Sequence, residues 1–243
     1  MVLLAGADRD AEGDVHKLIN YQGGRVYQVV SPDTGTTTYS YDPAGNLVQK
    51  TDAKGTTTSY QYDAANRLIK IDFGADPDIV YTYDACGNGK GRLCQVQDQS
   101  GTASYEYSAK GELVKETKLA QGRTYVTSYS FDKNGNLSQV TYPSGRKVTY
   151  ALDTADRISS VTTTKGVTTA TLASSVAHKP FGGIASMTYG NGLARTVSYD
   201  QQYRITAIQT GAVQNVSYAH DANGNITAIA NVLNPTKNKT FSY

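Results

Sequence analysis

The chain has 243 residues and a formal net charge of +2, with basic and acidic residues nearly equal in number and interspersed. It has no basic block or acidic tail, which argues against a nucleic-acid binder, and no apolar run approaches the ~18 residues of a membrane span. With 19 Tyr against 4 Phe and no Trp, and with 23 Gly, the composition favours pleated surface and turns, so an all-β chain is expected.

Residues 1–17 read as a lead-in segment. The start, Met1-Val2-Leu3-Leu4-Ala5-Gly6-Ala7, is apolar but short and has no basic residue before it, so it is a poor signal peptide and reads as a chain that begins mid-protein. Helix formers are sparse after residue 20, and only residues 8–20 leave room for a helix longer than two turns.

From residue 18 to 243 one pattern recurs. Tyr41-Asp42-Pro43-Ala44-Gly45-Asn46-Leu47 returns as Tyr62-Asp63-Ala64-Ala65-Asn66-Arg67-Leu68. It returns again as Phe131-Asp132-Lys133-Asn134-Gly135-Asn136-Leu137 and as His220-Asp221-Ala222-Asn223-Gly224-Asn225-Ile226. Anchored on the residue after the second ring, the copies fall at Tyr21, Asp42, Asp63, Asp84, Ser108, Asp132, Asp153, Lys179, Asp200 and Asp221. Most lie about 21 residues apart, and Phe241-Ser242-Tyr243 opens an eleventh. The expectation is a single repeat domain of about ten hairpins.

Each copy reads as a β-hairpin. The first strand carries rings at alternate positions, Tyr39/Tyr41, Tyr60/Tyr62, Tyr81/Tyr83, Tyr105/Tyr107 and Tyr129/Phe131, and period two puts both on one face. In the turn, the anchor aspartate can accept from backbone N–H groups two residues on. The glycine three residues later can take the left-handed conformation, which gives a type I turn closed by a glycine bulge. Asn66 and Asp156 replace that glycine and tolerate the same conformation; Tyr203 also replaces it, and nothing in the sequence explains why.

The second strand opens with an apolar residue: Val26, Leu47, Leu68, Leu93, Leu113, Leu137, Ile158, Ile184, Ile205, Ile226. A second often sits three further on, as at Ile71, Val96, Val140, Val161, Met187, Ile208 and Ile229. Three is odd, so either a bulge re-aims one side chain or both faces are partly covered, and the pattern leaves both open. A second turn, as in Asp52–Gly55 or Tyr142–Gly145, leads to the next copy. Stacked hairpins give one long, twisted antiparallel sheet with aromatic ladders, each hairpin relying on its neighbours.

Residues that could carry chemistry are read against this repeat. Asp42, Asp63, Asp84, Asp132, Asp153, Asp200 and Asp221 recur copy after copy, which suits turn anchors and not one catalytic pair. The ladder Tyr39, Tyr60, Tyr81, Tyr105 and Tyr129 suits packing better than a sugar-stacking platform. His178 and His220 occupy ring positions and read as ladder swaps, and His16 lies far from both. Gly87-Asn88-Gly89-Lys90-Gly91-Arg92 is a hairpin tip, not a strand-to-helix phosphate loop. No catalytic, cofactor or metal residue is assigned, and the chain is expected not to be an enzyme. Cys86 and Cys94 set no disulfide framework. They flank the inserted tip and are expected to face each other and be able to bridge, remaining thiols in a reducing cytosol.

Tyr-x-Tyr-Asp-x-x-Gly-Asn/Arg-Leu at this period resembles the Rhs/YD-repeat family over residues ~18–243. The stretches Asp84–Cys94 and Pro180–Ile184 with Thr188–Leu193 resemble variant repeats of its bacterial members. The resemblance implies a spiral β-sheet wound into a hollow shell around a toxin, as in insecticidal toxin complexes, with a similar shell in animal teneurins. It also implies secretion or cell-surface exposure from a bacterium, and for some members carbohydrate binding. Two features of the family have no match here. There is no core-associated segment with its cleaving Asp-Pro stretch, since Asp42-Pro43 sits in an ordinary turn, and no toxin-like domain follows. The expected function is therefore a structural segment of an encapsulating shell. Its partners would be the remaining repeats of a longer parent chain and an enclosed toxin domain. The alternative is a secreted carbohydrate-binding or adhesion module. Isolated, the segment is expected to self-associate through its edges.

Overall fold

A computed structural model describes residues 4–9, 15–20, 24–31 and 33–243 of the chain. Tyr21, the anchor of the first copy, lies outside the described residues. The chain divides into two compact units, residues 1–126 and 127–243.

The first unit holds β1 (Leu4–Arg9), β2 (Val15–Asn20), β3 (Val26–Ser31), β4 (Gly35–Tyr41), β5 (Leu47–Thr51), β6 (Thr57–Tyr62), β7 (Leu68–Phe73), β8 (Asp76–Tyr83), β9 (Leu93–Asp98), β10 (Gly101–Tyr107) and β11 (Leu113–Ala120). The division falls inside β12 (Arg123–Phe131). The second unit continues with β13 (Leu137–Thr141), β14 (Lys147–Leu152), β15 (Ile158–Lys165), β16 (Thr168–His178), β17 (Ile184–Tyr189), β18 (Ala194–Tyr199), β19 (Ile205–Thr210), β20 (Gln214–His220), β21 (Ile226–Asn231) and β22 (Lys239–Thr240). In each unit, successive strands pair antiparallel. The chain is all-β, and among the described residues the only helical turn is a 3-10 turn at Pro235–Lys237. Of residues 8–20, where a helix had room, the described ones lie in the end of β1 and in β2, which pairs with β3. A lone helix that short is marginal in water, whereas the edge of β3 offers ladder hydrogen bonds at once.

The register explains the odd spacing of three. Tyr60 faces Ile71 and Tyr62 faces Leu68, with a register shift between Gln61 and Tyr62. The same shift sets Tyr81 against Val96 and Tyr83 against Leu93, Tyr129 against Val140 and Phe131 against Leu137, and Val197 against Ile208 and Tyr199 against Ile205. One extra residue in the second strand, a β-bulge, lets two ring positions spaced by two meet two apolar positions spaced by three. Of the two explanations the sequence left open, the bulge is the one present.

The sheet is amphipathic, and its apolar face is not sealed. Ser40, Gln61, Glu106, Ser130, Ala151, Ala177, Ser198 and Ala219, each between two ladder positions, are exposed. The rings Tyr39, Tyr60, Tyr81, Tyr105 and Tyr129 are half-buried. Among the described residues only Cys94, Val140 and Val197 are buried apolar side chains. The rings therefore pack along the sheet against their cross-strand neighbours and are not enclosed as a core would enclose them.

Candidate functional site

The recurring chemistry sits at the hairpin tips. In the copy anchored at Asp63, the Asp63 N–H donates to the Arg67 carbonyl (3.0 Å) and the Asn66 N–H donates back to the Asp63 carbonyl (3.0 Å). The Asp63 carboxylate accepts the backbone N–H groups of Ala65 (2.9 Å) and Arg67 (3.0 Å) and the Arg67 Nε–H (2.7 Å). Asp42, Asp132, Asp153, Asp200 and Asp221 repeat this arrangement, with an Asn or Arg four residues on as the side-chain donor. Ser108 reproduces it with its hydroxyl, which accepts the Lys110 and Glu112 N–H groups at 3.2 Å. The left-handed position is held by Gly45 (φ 93°) and also by Asn66 (59°), Asp156 (57°) and Tyr203 (61°).

These bonds hold the anchor carboxylates in their charged form. Asp153 is lowered to about 2, first by the Arg157 backbone N–H and then by the Arg157 side chain. The Asn46 and Asn225 side-chain amides hold Asp42 and Asp221 below their ordinary value, and the Arg67 guanidinium does the same for Asp84. A carboxylate accepting several N–H groups is an anchor for the backbone, not a proton donor at neutral pH.

Two further sets of bonds join successive copies within each unit. The Tyr41 hydroxyl donates to the Val26 carbonyl (2.7 Å), Tyr62 to Leu47 (2.9 Å), Tyr107 to Leu93 (2.7 Å) and Tyr199 to Ile184 (3.0 Å). In each case the second ring reaches the first residue of the preceding copy's second strand. His178 makes the equivalent contact, its Nε2 lying 2.9 Å from the Ile158 carbonyl, so it fills a ladder position, as does His220 opposite Ile226. The His16 side chain lies outside the described residues.

The second set comes from the residue just before the second strand, four after the anchor in the ordinary turns and eight after it in the widened turn of Asp84. Arg67 binds Asp63 in its own copy and Asp84 in the next (2.6 Å to Oδ2), and its guanidinium lies 4.4 Å from the Tyr83 ring centroid. Arg92, Arg157 and Arg204 donate to the carbonyls of Gly111 (3.2 Å), Lys179 (3.2 Å) and Asp221 (3.0 Å). A Cβ on Gly45 would collide with the Arg25 guanidinium, and one on Gly111 with that of Arg92. Where the preceding copy carries Asn instead, the left-handed residue can have a side chain: Asn46 precedes Asn66 and donates to it (2.9 Å), and Asn136 precedes Asp156. Tyr203 follows Gly183 and lays its ring over Gly182, where a Cβ would stand 2.6 Å from Tyr203 Cδ1. A space left by glycine in one turn thus admits the ring of the next. The repeat motif shows Asn or Arg at this position without showing its role; the signal in the sequence is Arg before Gly and Asn before Asn or Asp.

The fourth copy departs from the pattern. Its turn is widened, with the Asp84 N–H donating to the Arg92 carbonyl (3.1 Å). Cys86 and Cys94 are joined by a disulfide, their Cα atoms 5.6 Å apart. Asn88 Nδ2 reaches the Tyr107 carbonyl (3.0 Å). Elsewhere in the first unit, an open hollow of about 630 Å³ lies between Phe73, Asp76, Pro77, Ile79, Asp98, Gln99 and Ser100 and contains no anchor residue. Among the described residues there is no group of three His, Cys, Asp or Glu side chains able to hold a metal, and no helix is long and apolar enough to cross a membrane.

The family model for the RHS Repeat matches residues 22–57, 41–75 and 131–168. No curated protein matches the sequence. Among solved structures, the crystal structure of TcdB2-TccC3-TEV superposes with a TM-score of 0.74 at 18% identity, over 99% of this chain and 15% of that one. The crystal structure of TcdB2-TccC3 gives 0.73 at 18% identity, over 95% and 14%. A Photorhabdus luminescens Tc holotoxin pore with a mutated TccC3 gives 0.73 at 19% identity, over 94% and 14%. The chain therefore has the fold of one stretch of these proteins and spans about a seventh of their length.

Proposed function

We propose that the chain is a length of wall in an enclosing shell around a toxin or effector polypeptide, built of repeats of the kind that the RHS Repeat model matches at residues 22–57, 41–75 and 131–168. The observation that carries this is the recurrence, within each unit, of bonds between successive copies: a ring hydroxyl to the previous copy's carbonyl and an arginine to the next copy's turn. A repeat array is stable only through contacts between neighbours, and such bonds make the strip extensible by further copies. The likeness to Tc chains supports the same role, since this chain covers only 14–15% of each and further repeats would complete a wall. On this reading the chain contributes no catalytic step, metal or cofactor of its own. It would act outside the bacterium that makes it, and a disulfide suits an oxidising compartment. A glycan platform has no observation of its own here, because the hydroxyls of Tyr41, Tyr62, Tyr107 and Tyr199 donate to the sheet's own carbonyls.

Protease protection of the native polypeptide that contains these repeats is the test. An enclosing wall leaves a non-repeat segment resistant under native conditions and digestible once denaturant opens the repeats. Digestion of every non-repeat segment at the rate of an unprotected chain contradicts it.

A further inference from the structure

The Cys86–Cys94 bridge sits at the one turn widened in this way among the described residues, and that turn fastens three copies together. Asp84 receives Arg67 from the preceding copy. Asn88 and Arg92 donate to the Tyr107 and Gly111 carbonyls of the following one. The tip is built around the sulfurs. Gly89 is buried against both of them, and its N–H donates to the Cys86 carbonyl (2.9 Å) while its carbonyl accepts the Arg92 N–H (2.8 Å). The positions of Asn88 and Arg92 therefore depend on the bridge.

The two sulfurs are not equivalent. Cys94 is 5% exposed, whereas Cys86 is half-buried. The Cys86 N–H donates to Cys94 Sγ (3.0 Å), and that donor favours negative charge on Cys94. We propose that Cys86–Cys94 is a thiol-exchange site, opened by a small monothiol of the glutathione class, and that opening it unfastens the fourth copy from the fifth. A monothiolate attacks Cys86 Sγ, forming a mixed disulfide and breaking the Cys86–Cys94 bond; Cys94 leaves as the thiolate that the Cys86 N–H receives. A second monothiolate attacks the monothiol sulfur of the mixed disulfide, releasing the oxidised dimer of the monothiol and the Cys86 thiolate. Both cysteine thiolates take protons from water, so two thiols are oxidised for one disulfide reduced. The Arg92 carbonyl, 3.8 Å from Cys94 Sγ, is placed to accept the new S–H. The effect is a seam that is fastened in oxidising surroundings and loosened in a glutathione-rich one. It is a property of this chain whether or not the chain walls a shell.

The test is amide exchange of the full chain, purified without reductant, with and without excess glutathione, with thiols counted by mass. Expected are an intact bridge at the start, two free thiols after glutathione, and exchange at Asn88–Arg92 and Gly111 faster by about tenfold or more. The turn at Asp132–Asn136 should stay unchanged. The double variant Cys86→Ser/Cys94→Ser should show the fast exchange without glutathione and no response to it. Free thiols in the protein as purified, a bridge that resists excess glutathione, or reduction that leaves those amides unchanged would each overturn the proposal.

Discussion

Replacing Gly111 with alanine separates two demands that meet at the glycine of a repeat turn. Gly111 (φ 86°) and Gly55 (φ 80°) both adopt the left-handed conformation, so alanine at either costs about 1–2 kcal/mol of backbone strain. At Gly55 an added Cβ meets nothing within 4 Å, whereas at Gly111 it collides with the Arg92 guanidinium. Arg92 must then give up its bond to the Gly111 carbonyl (3.2 Å) and its place 5.6 Å from the Tyr107 ring centroid. A charged donor on a carbonyl, discounted for solvent, and an exposed cation–π contact together add roughly 1–2 kcal/mol. Gly111→Ala should thus lose about 2–4 kcal/mol and Gly55→Ala about 1–2 kcal/mol, read from urea unfolding. In an Arg92→Ala background the two alanine substitutions should cost the same. Equal losses in the wild-type background would refute the coupling between arginine and glycine of successive copies.

Tyr62→Phe should cost about 1 kcal/mol by removing the donor to the Leu47 carbonyl, and a change below about 0.3 kcal/mol would show that bond to be inert. Tyr60→Ala should cost about 1.5–3 kcal/mol, less than an enclosed aromatic, because the ring is half-buried; both are checked by the same denaturation assay. Asp153 has a folded-state value lowered from 3.8 to about 2. Its contribution is therefore complete above 3.8 and is lost as pH falls through about 2, so Asp153→Asn should flatten the acid limb of a stability–pH curve and leave its slope near neutrality unchanged. Phe181, Val167, Val213 and Tyr243 are largely exposed, so the isolated chain should self-associate, and sedimentation showing only monomer over a wide concentration range would contradict this.

The hairpin repeat was legible because its signals are local. Ring alternation sets the strand face, and Asp with Gly three residues later sets the turn. Bonds between copies were less legible because their partners lie about 15–20 residues apart. Nothing in one copy shows that the Tyr62 hydroxyl needs the Leu47 carbonyl, or that Arg92 occupies the space over Gly111. The bulge could be read only as one of two options, since spacing alone cannot distinguish an extra residue from a two-sided strand. Tyr203 had no local explanation because its reason is Gly182, in the preceding turn. The helix considered for residues 8–20 gave way to β2 because pairing with β3 is a tertiary option that propensity does not count.

Electron cryomicroscopy of the product of the complete reading frame containing these repeats is the most direct test of the wall. It should show the repeats continuing, copy bonded to copy, into a closed sheet with density for a separate polypeptide inside. An open strip with both faces in solvent and no enclosed polypeptide would contradict it.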